Sequence, residues 1–87
     1  MKIKDGFILR SVAGTNLVVA VGEQSKTFNK VVKLNDTAAF LWRQLENECT
    51  FEQLTERLTQ EYEVSQEVAE YDTRAFINTL KEASVLD

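Results

Sequence analysis

The side chains that most often carry out enzymatic chemistry are scarce in this sequence. It contains no histidine, which removes the commonest general base, proton shuttle and metal ligand. Its one cysteine, Cys49, has no histidine to activate it and no second cysteine with which to bind zinc, so we expect a small core or loop residue. The three glycines form no phosphate-binding pattern. The sequence therefore favours a protein that is not an enzyme and has no catalytic residue, metal or cofactor.

The charged residues divide unevenly between the two parts of the chain. Residues 1–33 carry six basic and two acidic side chains, a net charge of +4, whereas residues 34–87 carry four basic and twelve acidic ones, a net charge of −8. A charged partner will therefore approach one part and avoid the other. The length of 87 residues fits a single domain, 1–87.

Cysteine content and hydropathy also bear on the compartment. A single cysteine cannot form an internal disulfide, and the first residues lack the apolar run of a signal peptide. The longest apolar run, Leu17 to Val21, is too short to span a bilayer. We expect a soluble, cytoplasmic protein that does not associate with a membrane.

The first third of the chain has the composition of β-strands, over about residues 7–34. Phe7–Val12 and Leu17–Val21 are enriched in β-branched and aromatic residues, and Ala13–Asn16 between them supplies a turn of hairpin length. A third strand is predicted over Lys26–Leu34. Asn29-Lys30 interrupts it with either a bulge or a tight hairpin, because Asn tolerates positive φ.

Three helices are predicted to follow, at about residues 36–46, 51–61 and 65–84. Asn35, Thr50 and Ser65 are suitable N-caps, and Thr50 with Gln53 has the spacing of a capping box. An apolar stripe on the first helix carries the only tryptophan and is the predicted centre of the core: Ala38, Leu41, Trp42 and Leu45.

The third predicted helix has an apolar arc wider than one packing contact needs. It is either the central helix of a small core, or part of the arc, near Thr73, Ile77 and Leu80, is left open as the wall of a groove. The sequence alone leaves both interpretations open.

In the order of its elements and in their residues the chain resembles the PqqD family. The residues that carry the resemblance are Phe7-Ile8-Leu9-Arg10, Val21-Gly22-Glu23, Thr27-Phe28-Asn29, Val32-x-Leu34-Asn35-x-Thr37, Leu41-Trp42, Asp72-x-x-x-Phe76 and Lys81 to Leu86. The resemblance covers essentially the whole chain, although no single motif is diagnostic. Lys30 and Ser84 stand where relatives often have Gly, which favours a bulge at Asn29-Lys30 and leaves the last helix without its usual C′ residue.

The resemblance implies an α+β, winged helix-turn-helix-like fold, in which a three-stranded antiparallel sheet is followed by a three-helix cluster. It also implies a function in the biosynthesis of ribosomally synthesised, post-translationally modified peptides. Such a protein, called a recognition element or peptide chaperone, holds the leader of a precursor peptide. It presents that leader to a modifying enzyme, often a radical S-adenosylmethionine (SAM) enzyme. In the family the leader adds as a strand to the third strand and lies against the third helix.

Carried onto this sequence, the resemblance predicts a peptide-binding edge and a helical wall. Lysines on the edge would keep it soluble when empty and would attract acidic leader residues. An open edge also allows a weak dimer beside the monomer. The predicted peptide-binding residues are Lys26, Phe28, Lys30, Val31, Val32 and Lys33 on the edge and Asp72, Thr73, Phe76, Ile77, Leu80 and Lys81 on the helix.

Two aromatic residues, Phe40 and Tyr71, fall on polar helix faces. Each either folds onto a neighbouring loop or belongs to a patch that docks the modifying enzyme. Two other functions compete with peptide capture: winged-helix DNA binding, and a scaffold subunit that binds no peptide. Charge argues against nucleic acid, because the predicted third helix, from Gln66 to Ala83, carries a net charge of −2 where a DNA reader needs a basic face.

Overall fold

In the computed structural model, which describes residues 1–87, the first regular structure is a β-hairpin. Strands β1 (Phe7–Val12) and β2 (Thr15–Ala20) pair antiparallel, from Phe7 opposite Ala20 to Val12 opposite Thr15. The two loop residues, Ala13 and Gly14, have φ of 51° and 79°. Positive φ at both positions is the geometry of a type I′ turn, whose twist matches that of the strands. The predicted hairpin is therefore present.

The third strand is much shorter than the sequence pattern suggested. Strand β3 contains only Lys33–Leu34, which pairs antiparallel with β2 and completes a sheet of order β1-β2-β3. The prediction of a strand over Lys26–Leu34 is wrong, and Asn29-Lys30 forms neither a bulge nor a hairpin. Gly22–Lys26 is instead a 3₁₀ segment, and a connection without regular structure leads from it to β3.

Local hydrogen bonds and one aromatic contact explain this difference. Gly22 turns the chain with a φ of 61°, and the Ser25 hydroxyl donates to the Gly22 carbonyl at 2.6 Å. Short polar side chains commonly compete with a sheet in this way, by bonding to nearby backbone. The Phe28 ring then packs edge-on against Phe7, with ring centroids 5.0 Å apart. The backbone thus leaves the sheet after β2 and rejoins it only near Val32.

The three helices are α1 (Asp36–Gln44), α2 (Phe51–Glu61) and α3 (Gln66–Glu82). All three predicted N-caps are confirmed: the side chains of Asn35, Thr50 and Ser65 each accept a hydrogen bond from a backbone N–H in the first turn. The capping box of α2 is complete, because the Gln53 side chain accepts from the Thr50 N–H at 2.9 Å. The predicted α+β class, a three-stranded antiparallel sheet followed by three helices in a winged-helix-like arrangement, is confirmed.

Helix α3 ends in a Schellman motif built on serine. Ser84 has a φ of 61°, its N–H donates to the Lys81 carbonyl, and the Val85 N–H donates to the Leu80 carbonyl, each at 3.1 Å. Leu80 and Val85 are fully buried and provide the hydrophobic contact of this motif. The helix cap therefore forms without glycine, in a backbone region that costs a side-chain-bearing residue about 1–2 kcal/mol.

The core lies between the inner face of the sheet and the helices. Leu41, Trp42 and Leu45 are buried, as their spacing predicted, together with Val18 and Leu34 of the sheet. Helix α3 packs against both α1 and α2. None of the helices combines the length and the apolar composition that crossing a membrane requires.

Candidate functional site

The outer edge of β3 carries backbone groups that no other part of the chain uses. The Val18 N–H donates to the Val32 carbonyl at 3.0 Å, which extends the pairing with β2 by one residue. Backbone groups alternate between the two sides of an antiparallel strand, so the N–H and C=O of Val31 and Lys33 point away from β2. β3 is the last strand in the sheet order, so these groups lie on a free edge.

A groove runs along this edge, between the edge and α3. It consists of two adjoining cavities of about 210 Å³ and 520 Å³, which share Lys33 and Thr79. The first lies below the start of α1, and the second opens toward the end of α3. The residues lining the groove are Lys30, Val31, Val32, Lys33 and Leu34 on the strand side, Asn35, Thr37, Ala38 and Leu41 at α1, and Asp72, Ala75, Phe76, Thr79, Glu82 and Ala83 on α3.

One face of α3 forms the wall of the groove, because its lining residues recur at the three- and four-residue spacing of a single helix face. Ala75 and Thr79 are small and exposed, and the Thr79 hydroxyl donates to the Ala75 carbonyl at 3.1 Å. Phe76 and Leu41 are buried beneath them. The side chains of this wall are therefore short and lie above an apolar floor, so an extended chain can approach α3 closely.

The charges of the groove differ between its two sides. Lys30 and Lys33 lie on the strand side, whereas Asp72 and Glu82 lie on α3. The Lys30 ammonium donates to the Glu82 carbonyl across the wider cavity, where the negative end of the helix dipole favours a cation. Lys33 takes part in neither of the two ion pairs of the structure, which join Met1 to Glu48 and Lys26 to Glu23. Lys33 is therefore the cation at this edge that remains available to pair with an acidic group of a ligand.

Half of the predicted peptide-binding residues meet at this groove. Val31 is 80% exposed, whereas Val32 and Phe76 are buried with their side chains toward the core. The two groups come from elements distant in sequence, and the pairing of β3 with β2 and the packing of α3 on α1 bring them together. The predicted residues that line the groove are Lys30, Val31, Val32, Lys33, Asp72 and Phe76.

Two predicted edge residues lie elsewhere. Lys26 belongs to the 3₁₀ segment, where its ammonium pairs with Glu23 at 3.2 Å. Phe28 is half-buried against Phe7 and lines a further cavity of about 270 Å³ beside the first strand, which shares Lys30 and Ala83 with the wider cavity of the groove. The third strand pairs with β2 only from Val32 onward. Residues 26 and 28 therefore precede the β3 edge, and neither side chain lies on it.

The other predicted residues of α3 lie on a different side of the helix from the groove. Thr73, Ile77 and Leu80 are buried, so they serve the core, as expected for a central helix. Ile77 and Lys81 border a different cavity of about 260 Å³, next to Phe51 of α2. Around the helix axis, the residues of α3 that line the groove are rotated from Thr73, Ile77 and Leu80 by about 100°, the angle between consecutive residues.

Sequence reasoning missed the small residues of the wall, Ala75 and Thr79, and the polar residues at the start of α1, Asn35 and Thr37. The available signal was the pair Ala75 and Thr79, four residues apart and flanking an aromatic residue. Small side chains in that pattern leave space beside a helix, but the pattern does not say what occupies the space.

The two aromatic residues on polar helix faces differ in their surroundings. Phe40 packs edge-on against Tyr62, the residue that follows α2, with ring centroids 5.7 Å apart. Tyr71 is 73% exposed. Cys49 is buried, and its Sγ accepts a hydrogen bond from the Arg57 guanidinium at 3.4 Å, so it is a core residue as expected.

Comparisons with known proteins point in one direction. The family model described as "Coenzyme PQQ synthesis protein D (PqqD)" matches residues 8–86. Among solved structures, TbiB1 in complex with the TbiA(beta) leader peptide superimposes with a TM-score of 0.75 at 21% identity, covering 100% of this chain and 95% of that one. Lasso peptide synthetase B1 complexed with the leader peptide gives a TM-score of 0.71 at 25% identity, covering 93% and 89%. No curated protein matches the chain.

Proposed function

The chain belongs to the PqqD family, and from this premise we propose that it captures the leader of a ribosomally made precursor peptide and presents it to a modifying enzyme. It does so without catalysis, by accepting the leader as a fourth strand of its sheet. Two proteins of similar fold are described in complex with leader peptides. The binding elements we assign here are the free edge of β3 and the groove wall on α3.

The free β3 edge beside an apolar groove is the observation that carries this proposal. Strand addition requires unpaired N–H and C=O groups on an edge, and pockets that receive alternate side chains of the added strand. Val31 and Lys33 supply the backbone groups, and the cavity of about 210 Å³ over Leu41 and Phe76 supplies a pocket. The two requirements are met side by side.

The groove also defines which leader sequences fit. Side chains of an added strand alternate between its two faces. Those that point inward meet Ala38, Leu41 and Phe76, so we expect apolar residues there. Those that point outward lie beside the Lys33 ammonium, which favours an acidic residue. The preferred leader segment therefore alternates apolar and acidic residues over about four positions.

The partner that receives the leader is a peptide-modifying enzyme, and a radical SAM enzyme is the type we propose. Because precursors are made on ribosomes, we place the encounter in the cytoplasm. Before leader binding, the free edge can pair with a second copy. We expect a monomer or a weak dimer, because Lys33 of each copy would meet its counterpart across such a pair.

The proposal is tested by titrating ¹⁵N-labelled protein with a synthetic precursor leader, to be identified from the genes that flank the one for this chain. We expect amide shifts confined to Val31–Asn35 and to the groove face of α3. Replacing Ala75 with Phe fills the first cavity and should weaken leader binding by about 10- to 100-fold, because a buried aliphatic side chain contributes about 1.5–3 kcal/mol. The Ala75→Phe variant should remain folded, since Ala75 is exposed.

Val68→Phe is the matched control, since Val68 is an exposed position of α3 outside the groove. That variant should bind the leader as the parent chain does. The proposal fails if leader at roughly 100 µM causes no shift, which corresponds to a binding free energy weaker than about −5.5 kcal/mol. It also fails if the two Phe variants bind equally.

A further inference from the structure

The side of the sheet that faces away from the helices carries a cluster of exposed apolar side chains. Strand alternation places Ile8 and Val12 of β1 on this side, opposite Val19 and Thr15 of β2. Four of the six exposed large apolar side chains of the protein lie on it or at its margin. We call this surface the outer face; its apolar residues are Ile8, Val12, Leu17, Val19, Val21 and Val31.

The charges on the outer face have one sign. Arg10 lies opposite Leu17 on one side, and Lys33 lies opposite it on the other, so Leu17 is flanked by two cations in one row across the sheet. Neither cation takes part in an ion pair. An apolar surface crossed by two unpaired cations fits an apolar surface that carries carboxylates.

A second copy of this chain is a poor occupant of the outer face. A two-fold dimer through this face would bring the Arg10 and Lys33 side chains of both copies to one interface. The face measures roughly 14 Å by 20 Å, or about 300 Å², from strand spacing and rise. A symmetric pair through this face alone would therefore bury about 600 Å² in total, below the 1,200 Å² or more of specific interfaces, whereas a partner that also contacts a leader strand bound at β3 has a larger area available. A contact with the acidic helical half of another copy would be head-to-tail, which builds rings or open filaments rather than the monomer or weak dimer we expect.

The outer face is continuous with the peptide-binding edge. Lys33 and Val31 border the groove, and Lys33 also ends the row of residues that crosses the outer face. A protein that covers this face would therefore also contact a strand added to β3, which increases the area of the interface. A leader bound at the edge would in this way strengthen the docking of its recipient.

We infer that the outer face is the docking surface for the modifying enzyme, which presents an apolar patch bordered by carboxylates. The inference rests on the proposed function, because the partner is the enzyme that receives the leader. It assigns to the sheet a second interface, distinct from the groove, and makes the bound leader a part of that interface.

The test replaces apolar residues of the outer face without altering strand preference. In Ile8→Thr/Val12→Thr both new residues are β-branched, so the hairpin is retained. The probe is a purified radical SAM peptide-modifying enzyme, to be identified from the genes that flank the one for this chain, and its binding is measured with and without synthetic leader. We expect enzyme affinity to fall about tenfold or more, while leader affinity stays within about twofold. The matched control is Val68→Thr, since Val68 on α3 and Val12 have similar exposure, 46% and 49%.

A second variant keeps the test decisive if the double variant is unstable. Arg10→Glu reverses one cation of the outer face, on a strand remote from the groove, and should weaken enzyme binding most at low salt. The inference is overturned if the outer-face variants bind enzyme as tightly as Val68→Thr. It is also overturned if the double variant binds the enzyme normally but no longer self-associates, or no longer binds vesicles of anionic phosphatidylglycerol. If the parent chain binds no leader but the Ile8 and Val12 substitutions still weaken enzyme binding, the proposed function is refuted and the docking surface stands.

Discussion

Replacing Lys33 with proline separates the backbone of the β3 edge from its side chain. Proline lacks an N–H, and the alternation of β3 directs the Lys33 N–H away from β2, so the substitution removes a donor that the sheet does not use. The carbonyl of the preceding residue, Val32, accepts a hydrogen bond from Val18. Pairing with a neighbouring strand requires extended backbone, which is the conformation that a residue before proline prefers. We therefore expect Lys33→Pro to remain folded.

The effect on leader binding follows from one missing hydrogen bond. A backbone hydrogen bond contributes about 0.5–1.5 kcal/mol net, and a leader carbonyl left buried without a partner costs about 1–3 kcal/mol. The leader should thus bind Lys33→Pro more weakly by roughly 5- to 150-fold. Fluorescence anisotropy with a labelled synthetic leader measures the dissociation constant, and a thermal melt by circular dichroism confirms folding.

The control for this experiment is Lys33→Ala, which removes the charge and keeps the N–H. Loss of an exposed charge contact costs about 0–1 kcal/mol, so this variant should bind within about fivefold of the parent chain. Equal dissociation constants for the proline and alanine variants would show that the leader does not use the Lys33 backbone. A marked drop in the melting temperature of Lys33→Pro would show instead that the N–H belongs to the sheet. Either result refutes the strand-addition geometry.

Three further predictions concern stability. Ser84→Gly should raise the free energy of unfolding by about 0.5–1 kcal/mol in urea titrations, because glycine relieves the left-handed conformation at the end of α3; an unchanged or lower value would show that Ser84 is unstrained. Thr73→Val should raise the melting temperature, because the buried Thr73 hydroxyl has no hydrogen-bond partner and valine has nearly the same shape; a lower melting temperature would mean that the hydroxyl is satisfied. The N-terminal ammonium donates a hydrogen bond to Glu48 and, with its charge, lowers the pKa of that carboxyl from its ordinary value of 4.5. The contribution of this pair to stability is therefore present above about pH 4.5 and is lost as the pH falls through the lowered pKa. The difference in the free energy of unfolding between the parent chain and Glu48→Gln should shrink as the pH falls below about 4.5, and a constant difference would contradict this.

Local sequence signals identified the hairpin and all three helix starts. The capping side chains act on backbone within three residues, as Asn35 does on Ala38, so neighbouring residues are enough to reveal them. The apolar stripe around Trp42 is similarly a property of one helix. The resemblance to the PqqD family, which rests on residues spread along the chain, gave the correct fold class.

Only the tertiary structure decided where β3 begins and which stripe of α3 faces it. The length of β3 depends on the packing of Phe28 against Phe7, two residues far apart in sequence. The rotation of α3 is set by burial of Thr73, Ile77 and Leu80, which turns Ala75 and Thr79 toward the groove. An amphipathic pattern shows that a helix has an apolar side but does not show which neighbour each part of that side meets. The sequence by itself therefore determined the elements and their caps, whereas long-range packing decided the groove, because the orientation of one element against another depends on side chains from both.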